Sequence, residues 1–156
     1  MSARSAPNLD VSIVIAAPPA LIVRAFFDAD ALRAWWQVMR SLTTPRPLGP
    51  YAIEWRATEF ADDILGRLGG VFRGTVMQFD PSRGFFLADA FWLPPDGDPI
   101  GPMALEVAVT ALADGRVYVH VTQRGFEESA RWRRYYEIIT TGWERALASL
   151  KSLLEK

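Results

Sequence analysis

The chain has 156 residues, of which half are hydrophobic, and its formal net charge is −1. Such a charge gives no overall field that would attract nucleic acid or an anionic membrane. The sequence contains no cysteine, which excludes disulfides and thiolate metal sites.

The first third of the sequence predicts one strand and two short helices. Residues 9–16 alternate between an apolar and a more polar side, as a strand does. Pro18 and Pro19 end this strand and suit a first helical turn, so residues 19–27 are predicted as a helix. Asp28 or Asp30 can cap a second helix over residues 31–36. Residues 41–50 are rich in proline and are predicted as an irregular connection.

The rest of the sequence predicts about five consecutive strands and one long helix. The strands are expected over residues 51–58, 71–79, 85–92, 103–112 and 116–124, with long loops over residues 59–70 and 93–102. Large apolar residues then recur at steps of three and four through residues 128–155, which indicates an amphipathic helix with one wide aromatic face. A helix of that kind needs an apolar surface to lie against, and the strands supply one.

This order predicts an α+β fold in which a curved antiparallel sheet wraps around the long C-terminal helix. We expect a single domain over residues 9–156, preceded by a disordered N-terminus over residues 1–8. That N-terminus has no apolar core of signal-peptide length, and no run approaches the roughly 20 apolar residues of a membrane span. We therefore expect a cytoplasmic protein with no membrane insertion and no nucleic-acid partner.

Several phrases occur in an order that resembles a known family. They are the acidic, small and Trp-Trp segment over residues 28–36, Gly74-Thr75-Val76 before Asp80-Pro81, Gly125-Phe126, and Gly142-Trp143 with Leu147. Together they resemble the helix-grip fold of the START-like superfamily, also called SRPBCC, and within it most nearly the family of activators of the Hsp90 ATPase. The resemblance covers residues 9–154. It implies two short helices after the first strand and a cavity between the sheet and the C-terminal helix.

The resemblance also implies three hypotheses for function. The first is the binding of a small hydrophobic or amphipathic molecule, such as a lipid, in that cavity. The second is a chaperone-linked interaction or stress-response module; relatives that act on the chaperone carry an additional N-terminal domain, whereas the first strand here begins at Leu9, so we rank it second. The third is a polyketide-cyclase-like enzyme, although the balance leans against an enzyme.

Most templates for catalysis fail on the residues themselves. The one histidine, His120, cannot supply a zinc site. No Gly-x-Ser-x-Gly elbow and no glycine-rich phosphate loop is present. We therefore predict no catalytic residue, no metal site and no cofactor.

The candidate cavity residues follow partly from the resemblance and partly from strand alternation. They are Trp35, Trp55, Val76, Gln78, Phe85, Leu87, Asp89, Phe91, Met103, Tyr118, His120, Tyr136, Ile139 and Trp143. Among them, Asp89, His120, Tyr118 and Gln78 would be the few polar groups that orient a ligand in an apolar cavity. Two other interpretations stay open: His120 as a satisfied core histidine, and Asp89 with His120 as an acid–base pair.

Which face of two strands points inward is left open. The resemblance places Tyr118, His120 and Thr122 inward, whereas hydrophobicity alone would choose the alternate valines, Val117, Val119 and Val121. In residues 85–92, the inward set is either Phe85, Leu87, Asp89 and Phe91 or the wholly apolar Phe86, Ala88, Ala90 and Trp92. Val76→Trp is expected to fill the cavity and abolish ligand binding while the fold survives.

Three further features have open interpretations. We expect Trp35 to gate one end of the cavity and Trp36 to pack as core. Gly142, in the middle of the final helix, either bends that helix, admits a close neighbour or is simply tolerated. A homodimer formed through the apolar strand over residues 85–92 is a further alternative.

Overall fold

A computed structural model gives the structure of the protein and describes residues 6–156. The segment predicted as disordered, residues 1–8, therefore lies for the most part outside the described residues. The predicted order of one strand, two short helices, a run of strands and a long helix is confirmed. The elements are β1 (Leu9–Ile15), α1 (Pro19–Ala25), α2 (Ala29–Trp36), β2 (Arg40–Thr43), β3 (Pro50–Trp55), β4 (Ala61–Asp62), β5 (Gly66–Arg67), β6 (Gly70–Asp80), β7 (Gly84–Leu93), β8 (Ile100–Ala111), β9 (Val117–Arg124) and α3 (Ala130–Leu154).

Seven strands form one antiparallel sheet in the order β1-β9-β8-β7-β6-β3-β2. The strand over residues 85–92 lies inside β7, which pairs with β6 on one side and β8 on the other. Because β7 has no free edge, the sheet cannot extend into a second copy through it, and the dimer considered from the sequence is not available by strand pairing. The edges of the sheet are β1 and β2.

The prediction for residues 41–50 is wrong for residues 41–43, because Arg40–Thr43 forms β2. Prolines begin only at Pro45, so the backbone groups of the preceding residues remain free to pair with β3 in register from Arg40–Glu54 to Thr43–Tyr51. The Arg40 guanidinium also lies 2.7 Å from the Glu54 carboxylate. The irregular chain is therefore confined to residues 44–49.

Both helices that flank the interior begin at capping side chains. The Asp28 carboxylate accepts a hydrogen bond of 2.9 Å from the Ala31 backbone N–H, so α2 begins two residues earlier than predicted. The Ser129 hydroxyl accepts from the Trp132 N–H at 3.2 Å and starts α3. The buried side of α3 faces the sheet, as its periodicity predicts; it consists of Trp132, Tyr135, Tyr136, Trp143, Ala146, Leu147 and Leu150.

An aromatic cluster closes one half of the space between α3 and the sheet. Phe26, at the end of α1, is fully buried, with ring centroids 5.0 Å from Trp35, 5.5 Å from Phe85 and 6.5 Å from Trp143. Phe27 meets Phe85 edge-on at 4.9 Å. This half of the interior is solid core. None of the described helices combines the length and the hydropathy of a membrane span.

Candidate functional site

The other half of the interior contains a cavity of about 340 Å³. It lies between the first half of α3 and the ends of β3, β6 and β7. Apolar and aromatic groups form most of its wall. The lining residues are Trp36, Gln37, Trp55, Arg56, Thr58, Leu65, Leu68, Gly69, Phe72, Trp92, Gln123, Tyr135, Ile138, Ile139, Gly142 and Trp143.

Four tryptophans line this cavity, and two of them have their polar edge satisfied by the backbone. The indole N–H of Trp55 donates to the Trp36 carbonyl at 3.0 Å, and that of Trp92 donates to the Gly69 carbonyl at 2.8 Å. The Trp36 ring lies 4.7 Å from that of Trp143 and 5.3 Å from that of Trp55. Fixed in this way, the indoles present ring surface to the cavity, which suits a flat apolar ligand.

Helix α3 contributes an opening in its surface at Gly142. A Cβ atom built on this glycine would meet no heavy atom within 4 Å. Ile138, Ile139 and Trp143 line the cavity from the same helix. Gly142 is itself exposed, so the opening of the cavity is left uncovered where any other residue would place a side chain.

One polar pair lies in the wall of the cavity. Gln123 is 1% exposed, and its amide Nε2 donates to the Tyr135 hydroxyl oxygen at 2.8 Å and to the Met103 sulfur at 3.2 Å. Burial raises the pKa of the Tyr135 phenol well above its ordinary value, so this hydroxyl stays protonated. The pair is thus neutral at physiological pH.

The remaining polar lining residues lie at the opening of the cavity. Arg56 and Gln37 are exposed. The Thr58 hydroxyl is already engaged, because it donates to the Phe60 carbonyl at 2.8 Å and accepts from the Leu68 N–H at 2.9 Å. Arg56 is the charged residue of the lining, so a cation lies at the entrance while the interior carries no charge.

A flap, which we define as residues 58–69, covers part of this opening. It contains the β4–β5 hairpin and carries Leu65 and Leu68 into the lining. Asp62 attaches the flap to α3, because its carboxylate lies 2.7 Å from the Arg134 guanidinium and also accepts from the Ile64 and Leu65 N–H groups. A second ion pair, Arg67–Asp96 at 2.9 Å, joins the flap to the loop after β7.

We expect this attachment to weaken in acid. The hydrogen bond from Arg134 lowers the pKa of Asp62 from 3.8 to about 2. A depressed carboxyl pKa means that the folded state favours the ionised form, so the stabilisation is complete above pH 3.8 and is lost as the pH falls through about 2. Asp62→Asn should therefore lower the melting temperature at pH 7, and the difference from the unchanged protein should shrink between pH 4 and pH 2, which thermal unfolding at a series of pH values measures.

The neighbouring carboxylate offers a matched control for that experiment. Asp63 is exposed, and Asp63→Asn should leave the melting temperature nearly unchanged at every pH. Equal effects of the two substitutions at pH 7 would contradict an attachment through Asp62.

The structure separates the cavity residues expected from the sequence into three groups. Those that line the cavity are Trp55, Ile139 and Trp143. Those buried in the core without lining it are Trp35, Val76, Phe85, Leu87, Met103 and Tyr136. Those on the outer side of the sheet or exposed are Gln78, Asp89, Phe91, Tyr118 and His120.

The inward face of β9 is the valine face, which corrects the orientation taken from the resemblance. Val117, Val119 and Val121 are fully buried, whereas Tyr118 is 36% exposed. His120 also lies on the outer face, where its Nε2 is 2.7 Å from an Asp10 carboxylate oxygen. The outer face of this antiparallel sheet meets water, so hydrophobic burial decides which side of the strand points inward.

The inward face of β7 changes halfway along the strand. Phe85 and Leu87 are buried, then Ala90 and Trp92 are buried, so each of the two predicted sets is correct for half of the strand. The change occurs at Asp89, whose φ of 55° interrupts the extended backbone and shifts the register with β8. Asp89 is consequently exposed, and Phe91 lies on the outer face with the Arg73 guanidinium 5.2 Å from its ring centre.

An acid–base pair of Asp89 and His120 is excluded by this arrangement. His120 is level with Ala108 on β8, and Ala108 is level with Gly84 on β7. Asp89 lies five residues farther along β7, which places the two groups roughly 16 Å apart along the strands at about 3.3 Å per residue. Nor do the described residues contain a cluster of three or more His, Asp or Glu side chains able to hold a metal ion.

The expected roles of the tryptophan pair are also exchanged. Trp35 is 2% exposed and donates to the Ala25 carbonyl at 2.9 Å, so it is core. Trp36 lines the cavity and stacks on Trp35 at 4.8 Å. Helix α2 ends at Trp36, and Gln37 adopts the left-handed conformation, with φ of 57°. Val76 belongs to the packed half, so Val76→Trp would overpack the core instead of filling the cavity.

Most residues that line the cavity were not predicted from the sequence. The residues missed are Trp36, Gln37, Arg56, Thr58, Leu65, Leu68, Gly69, Phe72, Trp92, Gln123, Tyr135, Ile138 and Gly142. For two of them the sequence does hold a signal. Gln123 continues the alternation of the buried valines of β9, and Trp92 ends the apolar alternative set of β7.

Comparisons with known proteins agree on one fold. The family model described as Activator of Hsp90 ATPase homolog 1-like protein matches residues 16–155. No curated protein matches the chain. A protein from Mesorhizobium loti is similar in structure, with a TM-score of 0.69 and 21% identity over 94% of this chain and 96% of that one. The Aha1 dimer from Colwellia psychrerythraea has a TM-score of 0.66 and 20% identity over 95% and 96%. A protein from Chromobacterium violaceum has a TM-score of 0.68 and 22% identity over 96% and 99%.

Proposed function

The chain belongs to the family of Activator of Hsp90 ATPase homolog 1-like proteins, and we propose that within this family it binds a small, mainly apolar molecule in the cavity between α3 and the sheet. The observation that carries the proposal is the contrast between the two halves of the interior. Aromatic side chains fill the half around Phe26, whereas the half beside Gly142 retains about 340 Å³.

The size and the wall of the cavity support a ligand of one or two rings. Its volume lies at the lower end of the roughly 300–1,000 Å³ typical of ligand pockets. Tryptophan rings form much of the wall, and aromatic faces pack well against flat apolar molecules. Leu65 and Leu68 on the flap add apolar cover at the entrance. A long, flexible acyl chain fits this shape less well than a compact ring system.

Two measurements test the proposal. Native mass spectrometry of freshly purified protein should show a co-purified small molecule that leaves on denaturation. A thermal-shift panel of small aromatic and alicyclic compounds should raise the melting temperature for some members, since a ligand at 100 times its Kd stabilises by about 2.7 kcal/mol. Absence of both a bound molecule and any shift would contradict ligand binding.

A second candidate function is self-association through the β2 edge of the sheet. The opposite edge is partly covered, because the Lys151 ammonium of α3 donates to the Val14 carbonyl at 2.9 Å. Within residues 6–156, no side chain donates to the backbone of β2 in this way, and that edge presents Leu42 at 62% exposure, with Leu48 at 71% nearby. The relative from Colwellia psychrerythraea is described as a dimer, which supports a second copy of this chain as the partner.

Sedimentation measures this self-association directly. If the β2 edge forms the dimer, Leu42→Lys should shift the protein toward monomer, because it places a charge in an apolar interface. Leu21 on α1 is exposed by 40%, and Leu21→Lys is the matched control that should leave the distribution unchanged. A monomeric unchanged protein at high concentration would refute the candidate. The chaperone link suggested by the family description stays a separate proposal, testable by stimulation of a chaperone ATPase.

A further inference from the structure

Resting on the proposed function, we infer that the ligand carries a neutral group that both donates and accepts a hydrogen bond, a hydroxyl or a carboxamide, and that this group binds Gln123 and Tyr135 inside the cavity. The volume and the apolar wall alone do not define the chemical class of the ligand, whereas the hydrogen-bonding groups of these two side chains do.

The Gln123 amide has one hydrogen-bonding atom that no other residue uses. Its amide has two N–H groups and one oxygen. Nε2 is directed toward Tyr135 Oη at 2.8 Å and Met103 Sδ at 3.2 Å, which uses both N–H groups. Sulfur is an acceptor for an N–H and has nothing to offer an amide oxygen, so the contact with Met103 fixes the orientation of the amide. No donor among the described residues reaches Oε1.

The Tyr135 hydroxyl can donate a further hydrogen bond. It accepts the bond from Gln123, and within the described part of the chain its own proton has no acceptor. Both side chains line the cavity, Gln123 at 1% exposure and Tyr135 at 4%. The pair therefore offers one free acceptor and one free donor at neighbouring atoms, inside a wall that is otherwise apolar.

The ligand group that binds Gln123 and Tyr135 is expected to be neutral. The lining has no cation near this pair, because Arg56 lies at the exposed entrance. A carboxylate placed against Gln123 and Tyr135 would lose its hydration without gaining a counter-charge, which is costly. None of the buried side-chain N and O atoms of the described residues lacks a hydrogen-bond partner, and an apolar end would cover Gln123 Oε1 and the Tyr135 proton without offering a hydrogen bond to either, which is also unfavourable. A neutral hydroxyl or carboxamide satisfies both atoms.

Probes on one ring skeleton test the inference. The affinities of 2-naphthol, 2-naphthamide, 2-methylnaphthalene and 2-naphthoate would be compared by titration calorimetry. We expect 2-naphthol, 2-naphthamide or both to bind at least about tenfold more tightly than 2-methylnaphthalene, and 2-naphthoate to bind most weakly. A preference for one of the two polar probes identifies the hydroxyl or the carboxamide as the group recognised.

Tyr135→Phe and Gln123→Leu assign that preference to the pair. Each variant should reduce the ratio of 2-naphthol to 2-methylnaphthalene affinity toward one, while the affinity for 2-methylnaphthalene stays the same or rises. Tyr135→Phe retains the ring that stacks on Trp92 at 5.5 Å, so it carries the test even if Gln123→Leu fails to fold. A loss of affinity for all probes equally would indicate a merely structural role and would overturn the inference.

The outcomes separate this inference from the proposed function. If the probes bind with equal affinity, or if the preference persists in both variants, ligand binding stands and the inference falls. If none of the probes binds and no panel compound or co-purified molecule is found, the proposed function fails and the inference fails with it.

Discussion

Phe26→Ala is expected to lower the free energy of unfolding by about 3–5 kcal/mol, the range for removing a buried aromatic ring from a core. Phe26 is fully buried at the end of α1. Its ring contacts Trp35 and Trp36 of α2, Phe85 of β7 and Trp143 of α3. Deletion of this ring therefore leaves a hole where three helices meet the sheet, and the rigid indoles around it cannot collapse to fill the space.

Chemical denaturation monitored by tryptophan fluorescence measures this loss. Phe60 provides a matched control, because its ring is 62% exposed and Phe60→Ala should change stability by less than about 0.5 kcal/mol. A loss below about 1.5 kcal/mol for Phe26→Ala would mean that the aromatic cluster is looser than its ring distances indicate.

The fold could be predicted from the sequence more fully than the candidate site. Strand alternation and the three-to-four spacing of α3 report which side of each element is apolar, and burial of those sides is nearly sufficient to define the layers. The strand of the seven-stranded sheet that was missed, β2, forms next to a proline-rich segment, and the short β4–β5 hairpin lies in a segment predicted as a loop. The partner of β2 is a strand that itself begins at Pro50, so proline was a poor guide to both boundaries.

The site depends on details that residue type does not encode. A single residue, Asp89 with φ of 55°, moves the inward face of β7 from Phe85 and Leu87 to Ala90 and Trp92. Aspartate tolerates a positive φ better than most residues, but a single aspartate in an apolar strand is not enough to predict a positive φ there. The cavity lies beyond that point, where tertiary packing leaves space. The periodicity of a sequence predicts which side of an element is apolar, but it does not predict whether that side is fully packed.

On β9 the hydrophobicity of the sequence alone predicts the correct inward face. The buried valines define one face, and the next residue on that face is Gln123. A polar residue that ends an apolar alternation is a sharper pointer to a cavity than a polar residue on the opposite, hydrated face. The resemblance favoured Tyr118 and His120 instead, but side-chain burial follows the hydrophobicity of the residues that this chain has.

The second large effect is expected at Gly142, where Gly142→Phe should weaken ligand binding about hundredfold or more, equivalent to about 2.8 kcal/mol. Nothing lies within 4 Å of the position of its Cβ, and Gly142 is an exposed residue of the lining, so the new ring has room to cover the opening of the cavity. The phenyl ring would pack among Ile138, Ile139 and Trp143, which line that space from α3. The fold should survive, because replacing a glycine within a helix removes a cost of about 1 kcal/mol.

Two controls isolate the filling of the cavity from other effects of the substitution. Gly142→Ala gains the same helical preference with a single methyl group, so it should raise stability by up to about 1 kcal/mol and preserve ligand binding. Thr141→Phe adds the same ring at the adjacent exposed position and should also preserve binding. Titration of all three variants with a ligand found in the thermal-shift panel gives the comparison. Undiminished affinity in folded Gly142→Phe would place the ligand elsewhere on the protein, whereas selective loss in that variant alone would locate it beside α3.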